Sequence, residues 1–317
     1  MADLGANATT IAELSKTEGL VPKPLATEIM TKAYGDSLIG RLAGNIPMPI
    51  TGGAMAFQVG EPVAGVTAEG GVKPVVKSKV ATKIARPIKV AAIMYWSKEA
   101  RQANPLGYMA MFKQVGTDAV RRAIDLAVLH GKDGVTGAVI PGVEYVAQTN
   151  KSVELDTATA DKGGLAGDIL AGYQLVTDAE GDVTGFAADP KMRVKLLGAR
   201  TAQGMPIFAA GAAHGGVDLA DPMPDLMGLP VGFSKAVGGK MGVLEDSKIR
   251  LIGGDFENNL KFGYVENITY RKTDTGVIND GGTQVNLFQQ NMEAYLIEAQ
   301  FGWAIRDVNN FVTYKLK

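Results

Sequence analysis

The most regular pattern of hydrophobic and polar positions runs from residue 104 to residue 131. Apolar residues recur there at steps of three and four, whereas the charged residues mostly lie off that line. Asn104 and Pro105 are typical of a first helical turn, and Gly131 is typical of a helix end. The apolar line consists of Leu106, Met109, Phe112, Val115, Ala119, Ala123 and Ala127. The pattern predicts one helix roughly 40 Å long that joins separate parts of the molecule, although an ordinary amphipathic core helix is the alternative.

A second pattern, an alternation of apolar and polar residues, covers residues 51–96. Met55, Phe57 and Val59 alternate before a glycine-rich stretch, and a return leg follows it. The return leg places Val76, Val80, Thr82, Ile84, Ile88 and Val90 on one face and Lys77, Lys79, Lys83 and Lys89 on the other. The alternation predicts one long two-stranded hairpin. Because an isolated hairpin is marginal in water, we expect its apolar face to rest on another copy of the chain; the alternative is a hairpin folded onto its own domain.

Shorter segments fill the rest of the chain. A polar segment at 1–26 precedes a short predicted helix at 27–42, and further helices are predicted at 166–177 and, capped by Asp189, to about residue 199. Strands are predicted at 184–188, 229–234, 249–252, 260–265, 268–271 and 311–316, with a helix or strand at 287–301. This order of elements predicts a central sheet with helices on its faces.

Composition limits the possible functions. The length of 317 residues suits about two domains, and 46% hydrophobic with 21% charged residues is typical of a soluble globular protein. A net charge of -1 argues against a dense basic surface for nucleic acid, and zero cysteines exclude disulfides and cysteine-ligated metals. With neither a secretion signal nor an apolar run of about 18 residues, we expect no membrane insertion and a cytoplasmic product.

Motifs for catalysis are missing from the sequence. It contains no HExxH, GxSxG or GxGxxG, and Lys132 is followed by Asp133 where a phosphate-binding loop needs Ser or Thr. His130 and His214 have no evident catalytic partner, so both are expected to be structural or surface residues. Two acidic groups are interpreted as polar turns or loops: Asp178, Glu180 and Asp182, and Asp218, Asp221 and Asp225. We therefore predict no assured catalytic residue, no cofactor and no metal.

Several segments, taken in order, resemble a known family. These are 57–142, then 226–234 (LMGLPVGFS), 253–256 (GGDF) and 291–314. Together they resemble tailed-bacteriophage major capsid proteins of the Hong Kong 97 type, which implies an α+β subunit. The resemblance implies an N-terminal arm and short helix at 1–50, an extended loop at 51–92, a peripheral domain at 93–145 and 258–300 with a spine helix at 104–130, and an axial domain at 146–257 and 301–317.

The resemblance also implies a function. Copies of such a subunit assemble as pentamers and hexamers into the icosahedral head shell of a virion, built in the host cytoplasm, which encloses double-stranded DNA without reading its sequence. Compared with the type member, we expect the chain to lack a long N-terminal scaffolding region, so that assembly would be guided by a separate scaffolding protein or by the capsid protein itself. Portal and decoration proteins are further possible partners. An encapsulin shell, which a neighbouring tail or portal gene would exclude, and more distantly an α/β enzyme, which turnover would reveal, are the alternatives.

In the type member, a lysine near the tip of the extended loop attacks an asparagine of another subunit, assisted by a glutamate. Lys73, Asn291 and Glu298 lie in segments that resemble those bearing the three groups. A free lysine has a pKa of about 10.4, so attack would need a dry site in which Glu298 accepts the proton. Asn291 could instead simply hydrogen-bond within the peripheral domain. Contacts between subunits are expected at Lys73, Lys77, Lys79, Lys83 and Arg86.

Overall fold

The computed structural model describes residues 37–46, 48–59, 64–69, 72–73, 75, 79–103, 105–208 and 225–317. The described elements form two larger sheets, one long helix and two small hairpins, so the α+β class is confirmed. Predicted features outside these residues include most of the helix at 27–42 and the residues Lys77, Asn104, His214, Asp218 and Asp221.

The first sheet has four strands in the order β1, β10, β13, β4, and the long helix α3 packs on one of its faces. The strand β1 runs parallel to β10, and the other neighbours are antiparallel. Trp96 of β4, Phe112 of α3 and Tyr295 of β13 join the helix to the sheet, with ring centroids 4.6 to 5.4 Å apart. The elements concerned are β1 (Gly44–Asn45), β4 (Ile88–Ser97), α3 (Pro105–His130), β10 (Leu260–Thr273) and β13 (Met292–Ile305).

The helix α3 confirms the predicted long helix, but the predicted buried line is partly wrong. Phe112, Gly116, Val120 and Ile124 are buried, whereas Ala119 and Ala123 of the predicted line are only half-buried. From residue 124 to the end of the helix every position is buried. This end of the helix packs both against the first sheet and against residues of a second, six-stranded sheet that is described below. Charged positions there, such as Asp125, are therefore buried as well.

The extended hairpin pairs β2 (Gly53–Val59) with β3 (Lys79–Ala85) in antiparallel fashion. The prediction that its return leg includes Ile88 and Val90 is wrong. After Arg86 and Pro87 the chain enters β4, which pairs with β13 instead. In the first sheet, β4 pairs with β13 and packs against α3, and an isolated hairpin would offer neither of these contacts. The predicted loop range 51–92 therefore ends in residues that belong to the first sheet.

The second sheet has six strands in the order β5, β14, β9, β6, β8, β7, with α4 and α5 packed against it. The predicted helices and strands of this part are confirmed within a few residues, and Asp189 caps α5 through a bond from the Lys191 backbone N–H, 2.9 Å long. The elements are β5 (Ser152–Glu154), α4 (Gly164–Thr177), β6 (Gly185–Ala188), α5 (Pro190–Gly198), β7 (Asp225–Leu226), β8 (Leu229–Phe233), β9 (Ile249–Gly254) and β14 (Phe311–Lys315).

Two strand predictions need correction. The segments predicted at 260–265 and 268–271 form one strand, β10, whose register shifts on either side of Glu266. Of the segment predicted as a helix or strand at 287–301, residues 287–291 form a turn, and the strand β13 begins at Met292 and continues to Ile305 in the first sheet. The proposed axial boundary at 301 therefore cuts a continuous strand. The remaining elements are α1 (Leu38–Leu42), α2 (Lys98–Ala103) and the hairpin of β11 (Val277–Asp280) with β12 (Thr283–Asn286).

Candidate cross-link and inter-subunit site

The hairpin presents an exposed apolar surface. On one face, Val80 and Ile84 of β3 are 64% and 70% exposed, opposite Gln58 and Ala54 of β2. Towards the tip, the described residues are all exposed, including Val66, Val72 and Lys73. Exposed apolar side chains on one face of a hairpin and near its tip are typical of a contact with another molecule.

The root of the hairpin, by contrast, is held by its own chain. Ala85 is fully buried beside Met48 and Ala304. The Lys83 ammonium pairs with the Glu144 carboxylate at 2.6 Å. Lys83, which was predicted as an inter-subunit contact, therefore makes an ion pair within the subunit, while Arg86 is exposed. The side chain of Lys79 lies outside the described atoms.

Asn291 lies at the turn that leads into β13. Its φ of 53° is in the left-handed region, which Asn adopts more readily than most residues. Its side-chain amide donates a hydrogen bond to the Glu99 carboxylate, and its backbone carbonyl accepts one from the Lys98 N–H at 2.9 Å. Phe288 in the same turn is 76% exposed. The carboxamide thus sits at an exposed corner of the first sheet, held by its own subunit.

Glu298 lies in the middle of β13, opposite Thr269 of β10 and Ala91 of β4. Its side chain is buried and pairs with Lys89 at 2.5 Å and with Arg271. The hydrogen bond from Lys89, with the charge of Arg271, holds the pKa of Glu298 below its usual value. A carboxylate with a lowered pKa is a weak proton acceptor, so Glu298 would need to lose one of these cations before it could serve as a base.

Asn291 and Glu298 do not meet within one subunit. Glu298 lies six residues beyond Met292 along an extended strand, which corresponds to roughly 20 Å. Both residues lie in one segment of the sequence. Because the strand separates them, any cross-link site that uses both of them must take Asn291 from one copy of the chain and Glu298 from another.

A second carboxylate, Asp125 of α3, is also buried and was not singled out by its sequence. It accepts hydrogen bonds from Ser37 Oγ at 2.9 Å, from the Leu38 and Ile39 backbone N–H groups at 3.1 Å, and from Ser234 Oγ at 3.0 Å. Burial raises the pKa of Asp125 above its usual value, against the effect of these bonds. Asp125 thus connects α1, α3 and the segment that follows β8.

His130, at the end of α3, makes a related connection. Its Nε2 lies 3.0 Å from the Val237 carbonyl oxygen, and burial lowers the pKa of the imidazole. His130 thus connects the end of α3 to the segment that follows β8. Within the described residues, no group of three or more acidic or histidine side chains is placed to hold a metal ion. None of the helices in that part of the chain is both long and apolar enough to cross a membrane.

Comparisons with known proteins agree with this architecture. A solved structure from Gordonia phage Cozz matches with a TM-score of 0.75 and 28% identity, covering 100% of this chain and 98% of the other. The pattern of the phage capsid family matches residues 18–316, and the chain therefore belongs to that family. The probable major capsid protein gp17 of Mycobacterium phage L5 is 26% identical over 326 positions, which cover 98% of this chain and 94% of that protein. Its counterpart in Mycobacterium phage D29 is 25% identical over 301 residues, or 93% and 89% of the two chains.

Proposed function

We propose that this protein is the major capsid protein of a tailed phage, whose copies assemble as pentamers and hexamers into a closed shell around double-stranded DNA. The observation that carries the proposal is the hairpin of β2 and β3, whose apolar side chains are exposed while only its root is packed. Identical subunits that cover such a surface on one another favour closed symmetry. Relatives named as capsid proteins of phages support a virion shell over an encapsulin.

In this proposal the first sheet with α3 is the peripheral part of the subunit, and the second sheet is the axial part around which capsomers close. The role towards DNA is containment, because a net charge of -1 offers no dense basic surface. Assembly in the host cytoplasm, guided by a separate scaffold or by the capsid protein itself and completed by portal and decoration proteins, belongs to the same proposal.

Deletion of residues 60–75 tests the shell assignment. The deletion leaves residues 76–78 as a short connection between β2 and β3, which suits a hairpin. We expect the unaltered protein to form closed particles in negative-stain microscopy. The shortened protein should form few or none, yet retain the circular dichroism and the unfolding midpoint of a folded subunit. Normal particles from the shortened protein would contradict the proposed role of the hairpin.

We further propose that subunits cross-link through Lys73 and Asn291. The Lys73 amine would attack the Asn291 side-chain carbonyl carbon, forming an amide bond and expelling ammonia. Glu298 of a copy other than the one that supplies Asn291 would take the lysine proton once Lys89 or Arg271 has moved away from its carboxylate, and that proton leaves with the ammonia. The exposure of Lys73 on the tip and the position of Asn291 at a corner of the first sheet support this reaction.

Denaturing gel electrophoresis of mature particles tests the cross-link. We expect a ladder of bands above the 33.3 kDa monomer, and its loss in Lys73→Arg, Asn291→Ala and Glu298→Gln particles. Lys132→Arg serves as a matched control, because Lys132 is also an exposed lysine but lies outside the hairpin. A single band at the monomer mass in unaltered particles would refute the reaction while leaving the shell assignment intact.

A further inference from the structure

The glycine-rich connector, residues 131–145, touches both the hairpin root and the second part of the subunit. At its first half, the Gly134 carbonyl accepts a hydrogen bond from the Val243 N–H at 3.3 Å. Gly242 has a φ of 55°, and a Cβ there would lie 1.9 Å from the same carbonyl oxygen. Only a glycine permits this close approach, so the connector is fitted against the segment that leads into β9.

At its second half, the connector holds the hairpin root at two points. The Glu144 carboxylate pairs with Lys83, while the Glu144 backbone carbonyl accepts a hydrogen bond from Trp303 Nε1 at 2.8 Å, which fixes Glu144 to β13. Arg86 lies directly over Gly142, where a Cβ would be 2.6 Å from its Nη1. Glu144 is therefore anchored to the first sheet through Trp303, and its carboxylate holds the hairpin through the Lys83 side chain.

Beyond these polar contacts, the apolar packing at the root of the hairpin is small. Its apolar contact is the small cluster around Ala85, and an open cleft of about 210 Å³ separates Lys83, Ile84 and Arg86 of the root from Val143 and Glu144 of the connector. The two strands have seven residues each, or roughly 23 Å. A rotation of roughly 10° at the root would then move their far end by about 4 Å, more than the tolerance of a packed contact.

From this geometry we propose that Glu144 and Lys83 set the angle at which the hairpin leaves the subunit, and so position it for the neighbouring copy. An exposed ion pair of this kind adds little to the stability of the fold. Its effect is on orientation, because the pair joins the hairpin to a connector that is itself fitted against the second part of the subunit. The inference rests on the proposed assembly into shells.

Charge reversal with rescue tests the inference. Lys83→Glu and Glu144→Lys each place like charges together, so each should lower the yield of closed particles at least fivefold, with irregular or open particles in their place. The double variant Lys83→Glu with Glu144→Lys restores an attractive pair and should recover most of the yield. All three should unfold at the urea midpoint of the unaltered subunit, which separates orientation from stability.

The ion pair between Lys195 and Asp156 is a matched control. Its side chains are 35% and 58% exposed, close to the 33% and 45% of Lys83 and Glu144, and it lies away from the hairpin. Its reversals should leave particle yield unchanged. Normal assembly of the single hairpin-root variants would overturn the inference, as would a double variant no better than the singles, which would mean that Lys83 contacts the neighbour instead. If the unaltered protein forms no shells, the proposed function itself fails.

Discussion

At the scale of the residue, Asp125 shows how a charge off the apolar pattern can still be a core position. Each of its carboxylate oxygens accepts one backbone N–H and one hydroxyl. Among the described residues, no ion pair to a basic side chain accompanies it, so its burial is compensated by hydrogen bonds. Those four donors come from α1, which adjoins the N-terminal segment, and from Ser234 in the second part of the subunit.

We expect Asp125→Ala to lower the free energy of unfolding by about 3 kcal/mol, because it leaves four buried donors without an acceptor. Asp125→Asn should cost about 1–2 kcal/mol, since the amide nitrogen faces a backbone N–H in either orientation. Urea denaturation of the subunit measures both changes. Asp178→Asn, at an exposed site, is the control and should change the midpoint little. An Asp125→Asn subunit with an unchanged midpoint would refute this account of the carboxylate.

At the scale of the element, the long helix depends on a close approach to the first sheet at Gly116. A Cβ on Gly116 would lie 1.8 Å from Ile297 Cδ1 and 3.1 Å from Met94 Cε. Glycine costs a helix interior about 1 kcal/mol relative to alanine. Gly116 therefore lowers the helix propensity of α3 but allows the helix to pack closely on β4 and β13.

Gly116→Leu should destabilise the subunit by about 2–3 kcal/mol, because the added side chain overpacks this contact. Shortening the opposing side chain in Gly116→Leu with Ile297→Ala should recover part of that loss. Gly198→Leu, at the end of α5 where a Cβ would meet no atom within 4 Å, is the matched control. Thermal unfolding of the four proteins measures the effect. Equal losses in the single and double variants would show that the helix contact at Gly116 is not the cause.

At the scale of the whole molecule, one hydrophobic cluster links the two sheets. It contains Phe112 and Ile124 of α3, Ile297 and Phe301 of β13, and also Ile252 of β9 in the second sheet. A separate cluster lies between the second sheet and its helices α4 and α5. The hairpin of β2 and β3 takes part in neither cluster, which is why deletion of residues 60–75 at its tip should spare the fold while impairing assembly.

The sequence by itself determined the elements whose signals are local. The periodicity of residues 105–130, the cap at Asp189 and the alternation in β2 and β3 each lie within a few turns or strand steps, and the structure has these elements where the patterns predict them. The ordered set of segments also indicated the phage capsid family, which the family match confirms. The site assignments for Lys73, Asn291 and Glu298 stay predictions.

Only the tertiary structure decided which strands pair and which charges meet. Several features depend on contacts between residues 61 to 213 positions apart in the chain. They are the pairing of Ile88 with the first sheet instead of the hairpin, the ion pairs of Lys83 with Glu144 and of Glu298 with Lys89, and the burial of Asp125. Strand pairing and charge burial are set by the free energy of contacts distant in sequence, and periodicity within a segment carries no information about the partner. Asn291 and Glu298 are close in the chain, but the segment that follows Asn291 is an extended strand, so the two residues lie about 20 Å apart.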